Sequence, residues 1–218
     1  MGTSCVKDSD VVSEQVKELL RFYREFYAIE LNLTESMIPA LDPSKPWHKR
    51  FGTILPMPSA LSYEAACEPL RQFNRRFYFM SPEVFSSLLT DERNDEQDYV
   101  IRIDNSQEPS MLDLIDETQD SIRQKRIPTM TLRERIVFEL FFWRGLGVRG
   151  TGRMRGDNAF PHLDVGSSTR CYGSVYSSGE SPVAYWFKYD GRNEFCIDRP
   201  LQTVSWRIRP RRVITIWG

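Results

Sequence analysis

The sequence has only two histidines, His48 and His162, and four widely separated cysteines, Cys5, Cys67, Cys171 and Cys196. With no Cys-x-x-Cys pair, neighbouring residues can assemble neither a zinc shell nor a dithiol redox motif. Free thiols, no metal and no other cofactor are the expectation. Long hydrophobic runs are missing as well: nothing approaches the roughly 18 consecutive apolar residues of a membrane span. The opening "MGTSCVKDSD" has no apolar stretch to act as a signal peptide. Gly2 does not create a myristoylation site, because Val6 occupies the place where that pattern asks for Ser or Thr. The expected location is cytoplasmic, with no membrane partner. Internal repeats and low-complexity tracts are also lacking.

What is present suffices for a packed core. The 218 residues are 40% hydrophobic and 12% aromatic, which excludes a disordered chain. Charge is divided along the sequence. Residues 1–120 hold 12 basic and 22 acidic side chains, whereas residues 121–218 hold 17 basic and 8 acidic, and 15 of those 17 are arginine. Arginine offers a planar fork suited to carboxylate and phosphate. Either the halves neutralise each other internally or the basic half faces an anionic partner. The chain reads as one domain over 1–218, or as an acidic helical subdomain (1–143) and a basic β subdomain (156–218) joined by a Gly/Arg loop (144–155).

Periodicity gives the elements. Val12, Val16, Leu19, Leu20, Tyr23, Phe26 and Tyr27 recur at helical spacing and predict an amphipathic helix within Val11–Leu33. Five prolines from Pro39 to Pro58 predict an irregular connection, with Trp47 anchoring it to the core. A short helix is expected near Ser62–Phe73, a strand at 75–80 and a helix at 81–89, then "TDERNDEQD" as an exposed turn. "YVIRID" at 99–104 alternates like a strand, and Ser110 is placed to cap a helix after it. Thr131 and Glu134 form a capping box at the head of "TLRERIVFELFFW". Beyond residue 160 the period becomes two. Asp190-Gly191 predicts a tight hairpin, and Pro210 breaks the last run into two strands. The fold class is therefore α+β, with N-terminal helices packed on a mainly antiparallel sheet formed largely by the C-terminal third.

Three stretches carry candidate chemistry. Gly145, Gly147 and Gly150 spell Gly-x-Gly-x-x-Gly, but a helix precedes them and no helix follows, so a dinucleotide fingerprint is rejected. A weaker reading is an anion-binding loop using Arg144, Arg149, Arg153 and Arg155, against a plain helix cap and linker. "PHLDVGSSTRC" gathers His162, Asp164 and Cys171, the residue types of a nucleophilic site, without a nucleophile elbow. Near the end, Arg207, Arg209, Arg211 and Arg212, with Tyr185 and Trp186, suit single-stranded nucleic acid by charge and stacking. Against this stands a pI near 6.2, and an ordinary half-buried sheet explains the same alternation.

From residue 99 onward, "YVIRIDNS", "RIPTMTLRERI", "PHLDVGSS" and the Gly-Ser strand before "SPVAYW" resemble a bacterial family known only as a domain of unknown function. The resemblance covers residues 99–218 and implies a small α+β domain. It transfers no catalytic residue. The leading expectation is a non-enzymatic binding or interaction protein presenting the Pro-rich and Gly/Arg loops to a protein or a small anionic ligand. The alternatives are a single-stranded nucleic-acid binder and a hydrolase or transferase built on His162, Asp164 and Cys171.

Overall fold

The computed structural model describes residues 8–73, 89–93, 97–104, 106, 114, 117–143, 163–164, 167–189, 192–198 and 208–216. Helix α1 spans Asp8–Tyr27 and buries Leu19, Phe22 and Tyr23. The apolar spacing that predicts it continues to Leu33, yet the helix stops six residues earlier. Ala28 takes a left-handed φ of 53°, and the Ile29 N–H donates back to the Tyr23 carbonyl at 3.2 Å. That reversal lets Arg24 grip Glu30 through two hydrogen bonds and lays Ile29, Leu31 and Leu33 along the core in extended chain.

The Pro-rich segment is more regular than its composition suggests. Pro46–Arg50 forms a 3-10 turn with proline at its start, and Thr53–Met57 is a fully buried strand, β1. Among the described strands β1 lies at the edge of its sheet, a position where proline is tolerated. The Pro56 carbonyl accepts the Tyr23 hydroxyl, tying α1 to the sheet. Helix α2 follows at Tyr63–Phe73. The strand expected at 75–80 and residues 81–88 of the helix expected at 81–89 fall outside the described residues, while Leu89, the last of that helix, stands in a strand instead.

The acidic turn is corrected by the structure. Leu89–Asp91 is a strand, β2, and Asp91 and Arg93 carry largely buried side chains rather than a solvated run. Tyr99–Ile103 is β3, as its alternation predicts. The helix expected under a Ser110 cap is shorter within the described residues: α3 runs Gln119–Gln124, and Thr118 caps it by accepting the Ser121 N–H. Helix α4, Leu132–Trp143, starts on the predicted capping box. Glu134 accepts the Thr131 N–H at 2.8 Å and Thr131 accepts the Glu134 N–H at 3.2 Å.

The remaining strands are β4 (Ser168–Arg170), β5 (Ser174–Tyr176), β6 (Val183–Tyr189), β7 (Arg192–Asp198), β8 (Ile208–Pro210) and β9 (Val213–Thr215). Tyr189 pairs with Arg192, so β6 and β7 are joined by a two-residue connection, the register expected of the Asp190-Gly191 hairpin. The protein is α+β. In place of one C-terminal sheet, however, three occur among the described residues: β1-β3-β9, β2-β5 and β7-β6-β4-β8. Two of them join the acidic and basic halves, β3 to β9 and β2 to β5. The pairing is antiparallel except between β4 and β8.

Helix α4 is at the centre, packed against α2, β1 and β6. Every side chain from Leu132 to Phe142 is buried. A helix covered on all sides should be apolar all round, and this one nonetheless carries Arg133, Glu134, Arg135 and Glu139. Gly173 lets β5 press against its head: a Cβ there would lie 2.6 Å from the Thr129 carbonyl oxygen and 3.0 Å from the Thr131 N. Because backbone cannot yield as a side chain can, Gly173→Ala is expected to cost about 2 kcal/mol or more, read as a lowered urea midpoint. An unchanged midpoint would show that this contact is loose.

Candidate functional site

The four charges on α4 organise two buried clusters. In the first, Glu134 takes two hydrogen bonds from Arg93, at 2.6 and 2.9 Å, and one from the Tyr99 hydroxyl at 3.0 Å. Arg93 also donates to the Thr129 carbonyl. Beside it, Asp91 Oδ1 accepts the Tyr63 hydroxyl at 2.6 Å and the Ser174 hydroxyl, while Oδ2 faces Arg133 Nε at 4.0 Å. Ser174 in turn accepts the Leu132 N–H at 2.7 Å, at the head of α4.

The second cluster gathers around Asp164. Arg135 donates to its Oδ2 at 2.8 and 3.0 Å, Thr169 donates to the same oxygen at 2.5 Å, and Arg211 donates to Oδ1 at 2.6 Å. Arg135 also grips Glu139 at 2.7 Å, one turn along α4. Asp164 adopts a left-handed φ of 58°, which Asp tolerates better than most residues. Among the described residues each cluster holds two arginines and two carboxylates, which balance when all four are ionised. That balance is what makes four buried ions per cluster supportable.

These clusters decide where most of the sequence-derived candidates lie. Asp164 is fully buried, and burial raises its pKa; Arg211 and Arg135 outweigh that and hold the carboxyl below its ordinary value. Cys171 is also fully buried, and burial pushes its thiol far above the ordinary range, the reverse of an activated nucleophile. His162 lies outside the described residues, as do Arg144, Arg149, Arg153, Arg155 and Arg207. Arg209 and Arg211 are buried, and Arg211 is spent on Asp164, Thr169 and the Ser106 carbonyl. Trp186 is buried against Phe195 at 5.4 Å, while Tyr185, its neighbour along β6, is half-buried. The arginine-aromatic row is thus partly an interior feature. Among the described residues, no group of His, Cys, Asp and Glu could hold a metal, and no helix is long and apolar enough to cross a membrane.

At the surface, charge and aromatic character meet on the Pro-rich loop. Trp47 stands on the 3-10 turn and packs edge-on against His48 and Phe51, at 4.1 and 5.4 Å between ring centroids. The Arg212 guanidinium lies over its ring at 4.6 Å and the Lys45 ammonium at 5.9 Å. Trp47 and Arg212 are half-buried and Lys45 is exposed. His48 is buried, and its Nδ1 accepts the Asp42 N–H at 2.7 Å. Burial lowers its pKa first, and the positive charge of Lys45 lowers it further. Next to the stack is a small cleft with room for about one water molecule. Phe51, Ile103, Leu114 and Pro210 form its apolar floor, with Asp104 and Arg212 beside them.

Trp47 was legible in the sequence only as an anchor, and its partner Arg212 only as one of a row. Arg93, Arg133, Arg135 and Glu139 were not singled out at all. The available signal was four charges inside a helix whose remaining residues are apolar on every side. No protein-family model, no curated protein and no solved structure matches this chain.

Proposed function

We propose that this chain is a non-enzymatic binding protein that takes a small anionic ligand on its Pro-rich loop. The observation that carries this reading is the convergence of Lys45 and Arg212 on the ring of Trp47. Two cations lie over one half-buried indole, Lys45 also facing Asp42 at 3.6 Å, beside a cleft with an apolar floor and Asp104 at its side.

The burial of Asp164 and Cys171 weighs against the enzyme alternative, and the burial of Arg209, Arg211 and Trp186 weighs against the nucleic-acid alternative. The bacterial family that residues 99–218 resemble has no assigned activity and adds nothing to the choice. A calorimetric titration with inorganic pyrophosphate tests the proposal. Binding is expected at low salt, and the pair Lys45→Ala and Arg212→Ala should weaken it about tenfold, about 1.4 kcal/mol. Equal affinity in the double variant would remove the site. Tighter, steeply salt-dependent binding of single-stranded RNA would favour the nucleic-acid reading instead.

A further inference from the structure

Asp91 is fastened on three sides. Tyr63 from α2 and Ser174 from β5 both donate to its Oδ1, while among the described residues Oδ2 faces Arg133 of α4 at 4.0 Å, beyond a direct hydrogen bond. The charged and titratable groups around it are Arg133 and Glu134 on α4, Tyr63 on α2, Tyr99 on β3, Cys171 before β5, and Glu92 and Arg93 on its own segment. Strand β2 has three residues and pairs only with β5 among the described strands. The next residue extends the attachment, since the Glu92 N–H donates to the Gly173 carbonyl at 2.8 Å. Arg93 anchors the same segment through Glu134 and the Thr129 carbonyl, which leaves Asp91 as its under-supplied attachment.

We propose that β2 is a proton-operated clasp: with Asp91 protonated, residues 89–93 stay fastened to β5 and the head of α4, and loss of that proton loosens them. An ionised Asp91 has one oxygen well served and one poorly served in a site where water is largely excluded. Its burial pushes the carboxyl up to about 6, beyond what the hydrogen bonds from Ser174 and Tyr63 and the charge of Arg133 restore. In a detached strand the same group titrates at its ordinary 3.8. A group whose closed-state pKa is the higher one favours closure fully below the open-state value and loses that contribution as pH rises through the closed-state value. Opening is therefore rarest near pH 4 and commonest above pH 6. Opening uncovers Arg133 and Glu134, which are 1% and 0% exposed when the clasp is shut.

Native-state hydrogen exchange between pH 4.5 and 7.5, corrected for the intrinsic rate, reads this directly. In the wild-type protein, protection of the 89–93 amides should fall about 25-fold across the range, the part of the roughly two-unit pKa difference that lies above pH 4.5. It should fall far less in Asp91→Asn, where the Glu92 carboxyl, itself raised by burial, is the titrating group left on the segment. At each pH these amides should exchange faster than those of α4. Protection that is flat in the wild type, or that falls equally in Asp91→Asn, overturns the proposal. So does exchange of β2 only at the rate of α4, because the opening would then be global unfolding.

Discussion

Asp164→Ala is expected to lower the stability of the fold by about 4 kcal/mol, seen as a drop in the urea midpoint at unchanged slope. The carboxylate is shared by Arg135 and Arg211, both buried. Removing it takes one negative charge from between two buried guanidinium groups in a site from which water is largely excluded. Two smaller costs add to this: Thr169 loses its acceptor, and Ala at a φ of 58° is strained where Asp is tolerated. Asp164→Asn separates these contributions. It keeps the left-handed backbone and one acceptor oxygen and loses the charge, so a deficit of about 3 kcal/mol in the Asn variant assigns most of the effect to electrostatics. A loss below about 1 kcal/mol in both variants would mean that the arginines reach water on their own. The pH dependence has a fixed sign. The folded-state pKa of Asp164 lies below its unfolded value, so its contribution is present above pH 3.8 and is lost as pH falls through the folded value. The gap between wild type and Asp164→Asn should therefore close in acid, opposite in direction to Asp91.

Glu134→Ala should cost a similar amount, about 4 kcal/mol, for a compound reason. One carboxylate closes the capping box at the head of α4 and neutralises Arg93, whose side chain is only 9% exposed. Glu134→Gln keeps an acceptor for the Thr131 N–H and gives up the ion pair, and is expected to cost about 2 kcal/mol. If the cap dominated, Gln would behave like the wild type. If the ion pair dominates, Arg93→Met in the Glu134→Gln background should restore part of the loss, because the unpaired charge is then gone. Such recovery is the signature of coupling in a double-mutant cycle.

What could be read from the sequence follows the range of the forces involved. The capping box of Thr131 and Glu134 is a three-residue signal, and the Asp190-Gly191 hairpin needs only two residues to fix its register, so both appear where the sequence puts them. The end of α1 was missed because Ala28 is an ordinary helix former. What bends it is a local reversal supported by Arg24 and Glu30 and by the core beneath Ile29. Alternation located β8 and β9 around Pro210 without saying which face turns inward. A strand arginine is read as outward-facing unless a carboxylate awaits it inside, and the one that meets Arg211 is Asp164, 47 residues earlier in the chain. The charge division misled in the same way. Arg93 with Glu134 and Arg133 with Asp91 do cross between the halves, but Asp164 is paired within the basic half and Arg50 with Asp104 within the acidic one.

The pairing of β3 with β9 sets a schedule for synthesis. Ile101 lies opposite Thr215, and Ile103 opposite Val213. The third strand of that sheet cannot dock until more than a hundred further residues have left the ribosome, and until then the β3 edge is open to other nascent chains. The charged run at 91–98, next to that edge, is well placed as a gatekeeper during the wait.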